Sequence, residues 1–242
     1  MSQNIYDDPA FFQRYSLMAR SINGLDAAPE WPALKAMLPP MQGLTVVDLG
    51  CGYGWFCRWA SEQGAQSVLG LDVSKKMLEQ ARSTTSNRNI RYRRADLEHL
   101  DLPADSFDLA YSSLALHYIK DLPGLFANLH AALKPGSHFV FSIEHPIFMA
   151  PRTPGWITDA EGRKSWPVDS YQLEGERVTH WLADGVIKQH RTLGTLLNTL
   201  IATGFSIRHV NEWGPTDAEV TAQPALAEEW ERPMMLLISV QR

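Results

Sequence analysis

Cysteine is nearly absent from this sequence, with Cys51 and Cys57 the only two among 242 residues. They lie six residues apart around a glycine-rich stretch and show neither zinc-ligand spacing nor a disulfide framework. No metal site is therefore expected, and the thiols are expected to be reduced. Also missing is any apolar run approaching the ~18 residues that a membrane span needs. The opening stretch, MSQNIYDDPAFFQRY, carries acids early and no apolar core segment, unlike a secretory leader. Positive charge is not in excess either. A net charge of −5 supplies no basic field for nucleic acid or anionic lipid. These absences lead us to expect a cytoplasmic protein that binds neither membrane nor nucleic acid. Internal repeats and low-complexity tracts are lacking too.

What is present is a hydrophobic fraction of 45%, ordinary for a globular chain, and we expect residues 1–242 to form one domain. From Leu44 onward, short apolar runs alternate with helical patterns. Leu44 to Leu49, Ser67 to Leu71, Ile90 to Arg94, Phe107 to Tyr111 and Phe139 to Ile143 read as five strands. Between them, Phe56, Trp59 and Ala60 fall at helical spacing, and Ser74 can cap a helix carrying Met77, Leu78 and Ala81. Leu122, Leu125, Phe126, Leu129, Ala132 and Leu133 form a helical stripe that Pro135-Gly136 ends. A helix near Thr192 closes at Gly204, and strands at Phe205 to Asn211 and Met234 to Val240 follow, joined by a polar loop. Such alternation predicts an α/β fold with a doubly wound, mostly parallel sheet of seven strands, Rossmann-like in layout. Between Pro146 and Gln189 the pattern breaks into prolines, glycines and aromatics, with a hairpin turn at Ala183-Asp184-Gly185. We expect residues 146–190 to be a small inserted cap beside the site.

The sharpest feature is VVDLGCGYG, residues 46 to 54. A strand ends at Leu49, and Gly50, Gly52 and Gly54 allow the positive φ and close ligand approach that a side chain would prevent. Asp72, twenty-two residues beyond Gly50, closes the second strand where a carboxylate can accept hydrogen bonds from a ribose diol. Strand, glycine loop, helix, strand and acid together specify an adenosine-type ligand. A dinucleotide fits less well, because the position of its third glycine is taken by Trp55. Asp48 also places negative charge where a cationic ligand is favoured over a diphosphate.

The run Asp48-Leu49-Gly50-Cys51-Gly52-Tyr53-Gly54 resembles the signature loop of class I S-adenosylmethionine-dependent methyltransferases. Three later blocks follow the family's order: GLDVS (70 to 74), RADLEHLDLPADSFDLAYSSLALHYI (94 to 119) and LKPGSHFVFSIEHP (133 to 146). The likeness is nearest to the bacterial branch acting on small molecules. It implies that Gly50, Cys51 and Gly52 cradle the methionine moiety of S-adenosyl-L-methionine and that Asp72 binds its ribose. Val73 and Met77 would pack on the adenine, Asp96 would accept from its amino group beside the Leu97 amide, and Ser112 would offer its carbonyl near the sulfonium. The resemblance further implies that residues 1–43 form a helical lid, with Tyr15 and Arg20 capping the cofactor and pairing with its carboxylate.

Methyl transfer from a sulfonium is an in-line displacement, so orienting the acceptor and excluding water supply most of the rate. A general base is needed only for a protonated acceptor. The expected bases are histidines at strand ends, His117 and His145, and His190 where the insertion returns to the core; histidine titrates near neutrality. Trp156, Trp166, Tyr171 and Trp181 either form the small core of the cap or contact a flat acceptor. The expected function is methyl transfer to a small-molecule O, N or C nucleophile. The rivals are a methyltransferase acting on RNA or protein and a non-catalytic protein that binds the same cofactor.

Overall fold

A computed structural model describes residues 3–242. Its centre is a seven-stranded sheet built from β1 (Thr45–Leu49), β2 (Ser67–Asp72), β3 (Ile90–Arg94), β4 (Phe107–Ser113), β5 (Leu133–Glu144), β6 (Ser206–Glu212) and β7 (Met235–Gln241). The spatial order is β6-β7-β5-β4-β1-β2-β3. β1 to β5 are mutually parallel, and β7 runs antiparallel between β5 and β6. The apolar runs of the central strands follow from burial on both faces. Along β1, Val46 enters the core on one side with Val68, Leu109 and Leu237, while Val47 enters the other with Phe139, Phe141 and Leu236. The chain leaves β1 in one direction to β2 and β3, then returns to β4 and β5 on the other side. That reversal opens a crevice at the carboxyl ends of β1 and β4, the place where such sheets hold ligands.

Helices α1 (Pro9–Ser16), α2 (Ala19–Asn23) and α3 (Trp31–Ala36) precede the sheet. Asp8 starts α1 by accepting from the Ala10 and Phe11 amides, with Pro9 at the first helical position. α4 (Trp55–Glu62) and α5 (Lys75–Ser83) follow the first two strands, and α6 (Leu122–Ala132) links β4 to β5. After β5 comes the short α7 (Pro146–Met149), then a two-residue ladder, then a hairpin pairing Gly175–Thr179 with Val186–His190. α8 (Leu193–Ala202), capped by Thr192, returns the chain to the sheet.

Two elements differ from the sequence reading. β5 begins at Leu133, not Phe139: Lys134-Pro135-Gly136 ends α6 as expected but is absorbed by a register shift opposite Phe107 and Leu109. The polar loop before β7 contains helices Asp217–Ala222 and Glu228–Glu231. The first of these starts with a capping box between Thr216 and Glu219.

Candidate active site

β1 stops at a loop that only glycine can make. Gly50, Gly52 and Gly54 all have positive φ (73°, 52° and 73°). A Cβ on Gly50 would lie 2.4 Å from the Ala115 Cβ, whereas one on Gly52 would meet nothing within 4 Å, because that residue borders open space. The Gly50 and Cys51 amides donate to the Leu71 carbonyl (2.8 and 2.9 Å), fixing the loop to the end of β2. There the Asp72 carboxylate accepts from the Gly52 amide (2.9 Å) and the Ser74 amide (2.8 Å). Burial nevertheless pushes its pKa up to about 6, against the lowering effect of those N–H groups. Asp96 caps the following turn by accepting from the Glu98 amide (3.2 Å).

A cavity of about 770 Å³ opens on these groups. Gly50, Gly52, Asp72, Val73, Met77, Asp96 and Leu97 form one wall. The N-terminal segment roofs it with Tyr6, Tyr15 and Arg20, and the far wall carries His117, Tyr118, Glu144, Trp181 and Lys188. A recess of about 100 Å³ beside the glycine loop is lined by Arg20, Glu30, Asp48, Cys51 and Tyr111, among others. Arg20 forms an ion pair with Glu30 there. The second Glu30 oxygen is buried without a hydrogen-bond partner. Burial raises the Asp48 pKa to about 7, and the Cys57 thiol donates to its carboxylate at 3.2 Å. Burial likewise lifts the Cys51 thiol to about 11, so its sulfur is no nucleophile near neutrality.

Of the three histidines expected as bases, the structure brings only His117 to the cavity. Burial drives its pKa down to about 4, so the imidazole is neutral across the physiological range instead of titrating within it. His145 points elsewhere: its Nδ1 accepts from the Ile147 amide (3.0 Å) to start α7, and its Nε2 meets Glu212 at 2.8 Å. His190 is fully buried, with Nε2 2.8 Å from the Tyr171 carbonyl. These two secure the cap's entry and exit. The Ser112 side chain is buried, its hydroxyl donating to the Leu49 carbonyl (2.8 Å), and the following Ser113 and Leu114 line the cavity. Leu114 adopts φ 51°, a left-handed backbone that a leucine holds only at a cost.

Several groups escape the sequence reading. Asp7 accepts from the Ser74 hydroxyl (2.6 Å) and the Lys76 amide (3.1 Å), tying the N-terminal turn to the start of α5. The Tyr6 and Tyr118 hydroxyls meet at 3.2 Å. Glu144, at the end of β5, pairs with Lys188 at 2.5 Å, with both side chains largely buried. The signal for Lys188 was its alternation with Val186 and His190, which puts a lysine on the inward side of a strand. Trp181 lines the cavity, while Trp156 and Trp166 pack with Phe148 and Arg232 as the small core of the cap.

The residues present fit an adenosine-bearing, cationic ligand. A side-chain-free loop borders the space, a carboxylate closes β2, and buried acids flank the recess. No helix among the described residues is long and apolar enough to cross a membrane. The methyltransferase-domain family matches residues 47–141. A Haemophilus influenzae protein of uncharacterized function is 32% identical over 99% of this chain and 97% of its own. The malonyl-[acyl-carrier protein] O-methyltransferase of Pectobacterium atrosepticum is 36% identical, but over only 45% of this chain and 42% of that protein. The crystal structure of an S-adenosylmethionine dependent methyltransferase from Mesorhizobium loti is 62% identical and superposes with a TM-score of 0.87, covering 90% of this chain and 100% of that one. Glycine loop, strand order and full-length likeness agree: the chain belongs to the S-adenosylmethionine-dependent methyltransferases, enzymes whose cofactor is S-adenosyl-L-methionine.

Proposed function

We propose that this methyltransferase acts on a small molecule held in the same cavity as the cofactor. The observation that carries the reading is the continuity of the space. One cavity runs from Asp72 and Asp96 to Tyr118, Glu144 and Lys188, and its roof is made by the N-terminal segment and the cap. A cleft partly covered by two segments of the chain in this way favours a compact acceptor over a residue presented by an RNA or a protein.

In this reading the Gly50–Gly52 backbone, with Arg20 and Tyr15 above it, holds the methionine end, although Arg20 is shared with Glu30. Asp72 accepts from the ribose hydroxyls, Val73 and Met77 lie against the adenine, and Asp96 with the Leu97 amide reads its edge. When bound, the cofactor supplies a methyl group already activated on a sulfonium. What the chain adds is alignment of the acceptor and exclusion of water by the aromatic roof of Tyr6, Tyr15 and Trp181. His117, neutral and buried, suits a hydrogen-bonding role better than proton removal at neutral pH.

Calorimetry with S-adenosylhomocysteine, NAD and ATP tests the cofactor half; binding is expected for the first alone. Transfer of labelled methyl to phenols, amines, carboxylates and heterocycles tests the acceptor half. Transfer to RNA or protein, with none to any small molecule, would replace this reading with its rival.

A further inference from the structure

The far wall contains an arrangement that neither packing nor the cofactor explains. Glu144 and Lys188 form a buried ion pair between the sheet and the cap, and His117 Nε2 lies 3.9 Å from the same Glu144 oxygen, too far for a hydrogen bond. The second Glu144 oxygen and His117 Nδ1 are both shut off from water without a partner. Two uncompensated polar atoms in one wall are an expense that folded proteins normally avoid. Anchoring the cap does not require them. The Trp166 indole already donates to the Ile147 carbonyl (3.0 Å), and Arg177 to the carbonyls of Ala150 (3.0 Å) and Leu173 (2.7 Å).

We propose that the Glu144 carboxylate, which lines the cavity but keeps its unpaired oxygen closed to it, turns to receive a hydrogen bond from a neutral O–H or N–H group of the methyl acceptor, and so selects uncharged aromatic hydroxyl or amine compounds. The inference rests on the cavity being the acceptor's. The unpaired oxygen calls for a donor hydrogen. An anionic acceptor meets repulsion from the Glu144 carboxylate. A cationic one meets the Lys188 ammonium, which already holds the other oxygen and lies 5.1 Å from the Trp181 ring and 6.0 Å from the Tyr118 ring. The surrounding Tyr6, Tyr118 and Trp181 rings suit a flat body.

The probes are phenol, anisole, benzoate and benzylamine, titrated into protein saturated with S-adenosylhomocysteine and followed by chemical-shift changes. Phenol and anisole share ring and oxygen but only phenol donates, so phenol is expected to bind about tenfold more tightly, as a hydrogen bond to a charged group allows. Benzoate and benzylamine are expected to bind more weakly than phenol. In Glu144→Gln the amide oxygen stays with Lys188 and the amide nitrogen, a donor, replaces the free acceptor, so the preference for phenol disappears while affinity for S-adenosylhomocysteine is kept. Should that variant fold poorly, Glu144→Asp retracts the charge by one methylene and is expected to show a reduced preference. Equal binding of phenol and anisole by the wild type, tighter binding of either charged probe, binding of none, or a preference that survives Glu144→Gln overturns the proposal. Failure of the wild type to bind S-adenosylhomocysteine would instead overturn the cofactor reading beneath it.

Discussion

Asp72 is a carboxyl held between two opposing influences. Burial favours its neutral form, while the Gly52 and Ser74 amides favour the charged one, and the balance leaves it near pH 6. Ligand hydroxyl groups that donate to it add to the second influence. Binding of S-adenosylhomocysteine is therefore expected to expel a proton near pH 6 and to tighten as pH rises from 5 to 7. Calorimetry in buffers of different ionisation enthalpy measures that proton directly; zero release at pH 6 would dissociate Asp72 from the ligand. Asp72→Asn is expected to weaken binding by about ten- to a hundredfold, the loss of one or two charge-assisted hydrogen bonds.

Asp48 shows the same sign without ligand. Its folded pKa of about 7 lies above the unfolded value, so its stabilising contribution is complete below about pH 4 and is lost as pH rises through about 7. Asp48→Asn is accordingly expected to raise Tm by several degrees at pH 8 and by clearly less at pH 5, where only part of the contribution has been lost. At this scale the sequence was legible where a motif fixes the backbone, as at Gly50, Gly52 and Asp72. It was misleading where chemistry was inferred from residue type alone. His145 and His190 had the right pKa class, but His145 accepts from the Ile147 amide of α7 and His190 donates to the Tyr171 carbonyl, which turns them into cap anchors. Glu144, one residue before His145, passed unnoticed, because which neighbour faces the cavity depends on how β5 ends.

Among the elements, the N-terminal turn (Ile5–Asp7) is the one whose placement no local pattern predicts. Asp7 reaches across 67 positions of sequence to the start of α5, taking the Ser74 hydroxyl and the Lys75 and Lys76 amides. It thereby serves as a second cap for a helix whose own cap is Ser74. Hydrogen bonds lower its pKa against the effect of burial. Asp7→Ala is expected to lower stability by ~1 kcal/mol, the scale of a lost helix cap. It should also raise amide exchange at Met77, in α5, and weaken S-adenosylhomocysteine several-fold, since Tyr6 next to it lines the cavity. Unchanged exchange in α5 would show that the contact carries no weight. The five inner strands (β1, β2, β4, β5 and β7), by contrast, were readable from apolar runs bounded by turn residues, because strands buried on both faces write themselves as such runs, whereas the exposed edge strands β3 and β6 were legible only from their place in the alternation. The helices before β7 were hidden by their polarity: few of their residues enter the core, so no apolar stripe marks them.

At the scale of the whole molecule, two segments far apart in sequence meet above the cavity. The Gln3 side chain donates to the Gly185 carbonyl and accepts from the Ile187 amide, and Arg14 donates to the Leu182 carbonyl. Phe11 and Tyr15 pack edge-on against Trp181. All of the polar contacts are exposed, so each is individually weak and replaceable by water, and we propose that this seam parts for ligand exchange. Breaking the junction with Arg14→Ala and Trp181→Ala together should therefore act on ligand exchange more than on folding. The dissociation rate of S-adenosylhomocysteine, followed by chase with excess unlabelled ligand, is expected to rise about tenfold. Tm of the ligand-free protein should move by only a few degrees, because the sheet and its two cores are untouched. The pH dependence of binding set by Asp72 should persist in the double variant, since the carboxylate and its two amides belong to the sheet and the glycine loop. A dissociation rate that stays at the wild-type value would mean that ligands leave by a route other than the seam between the N-terminal segment and the cap.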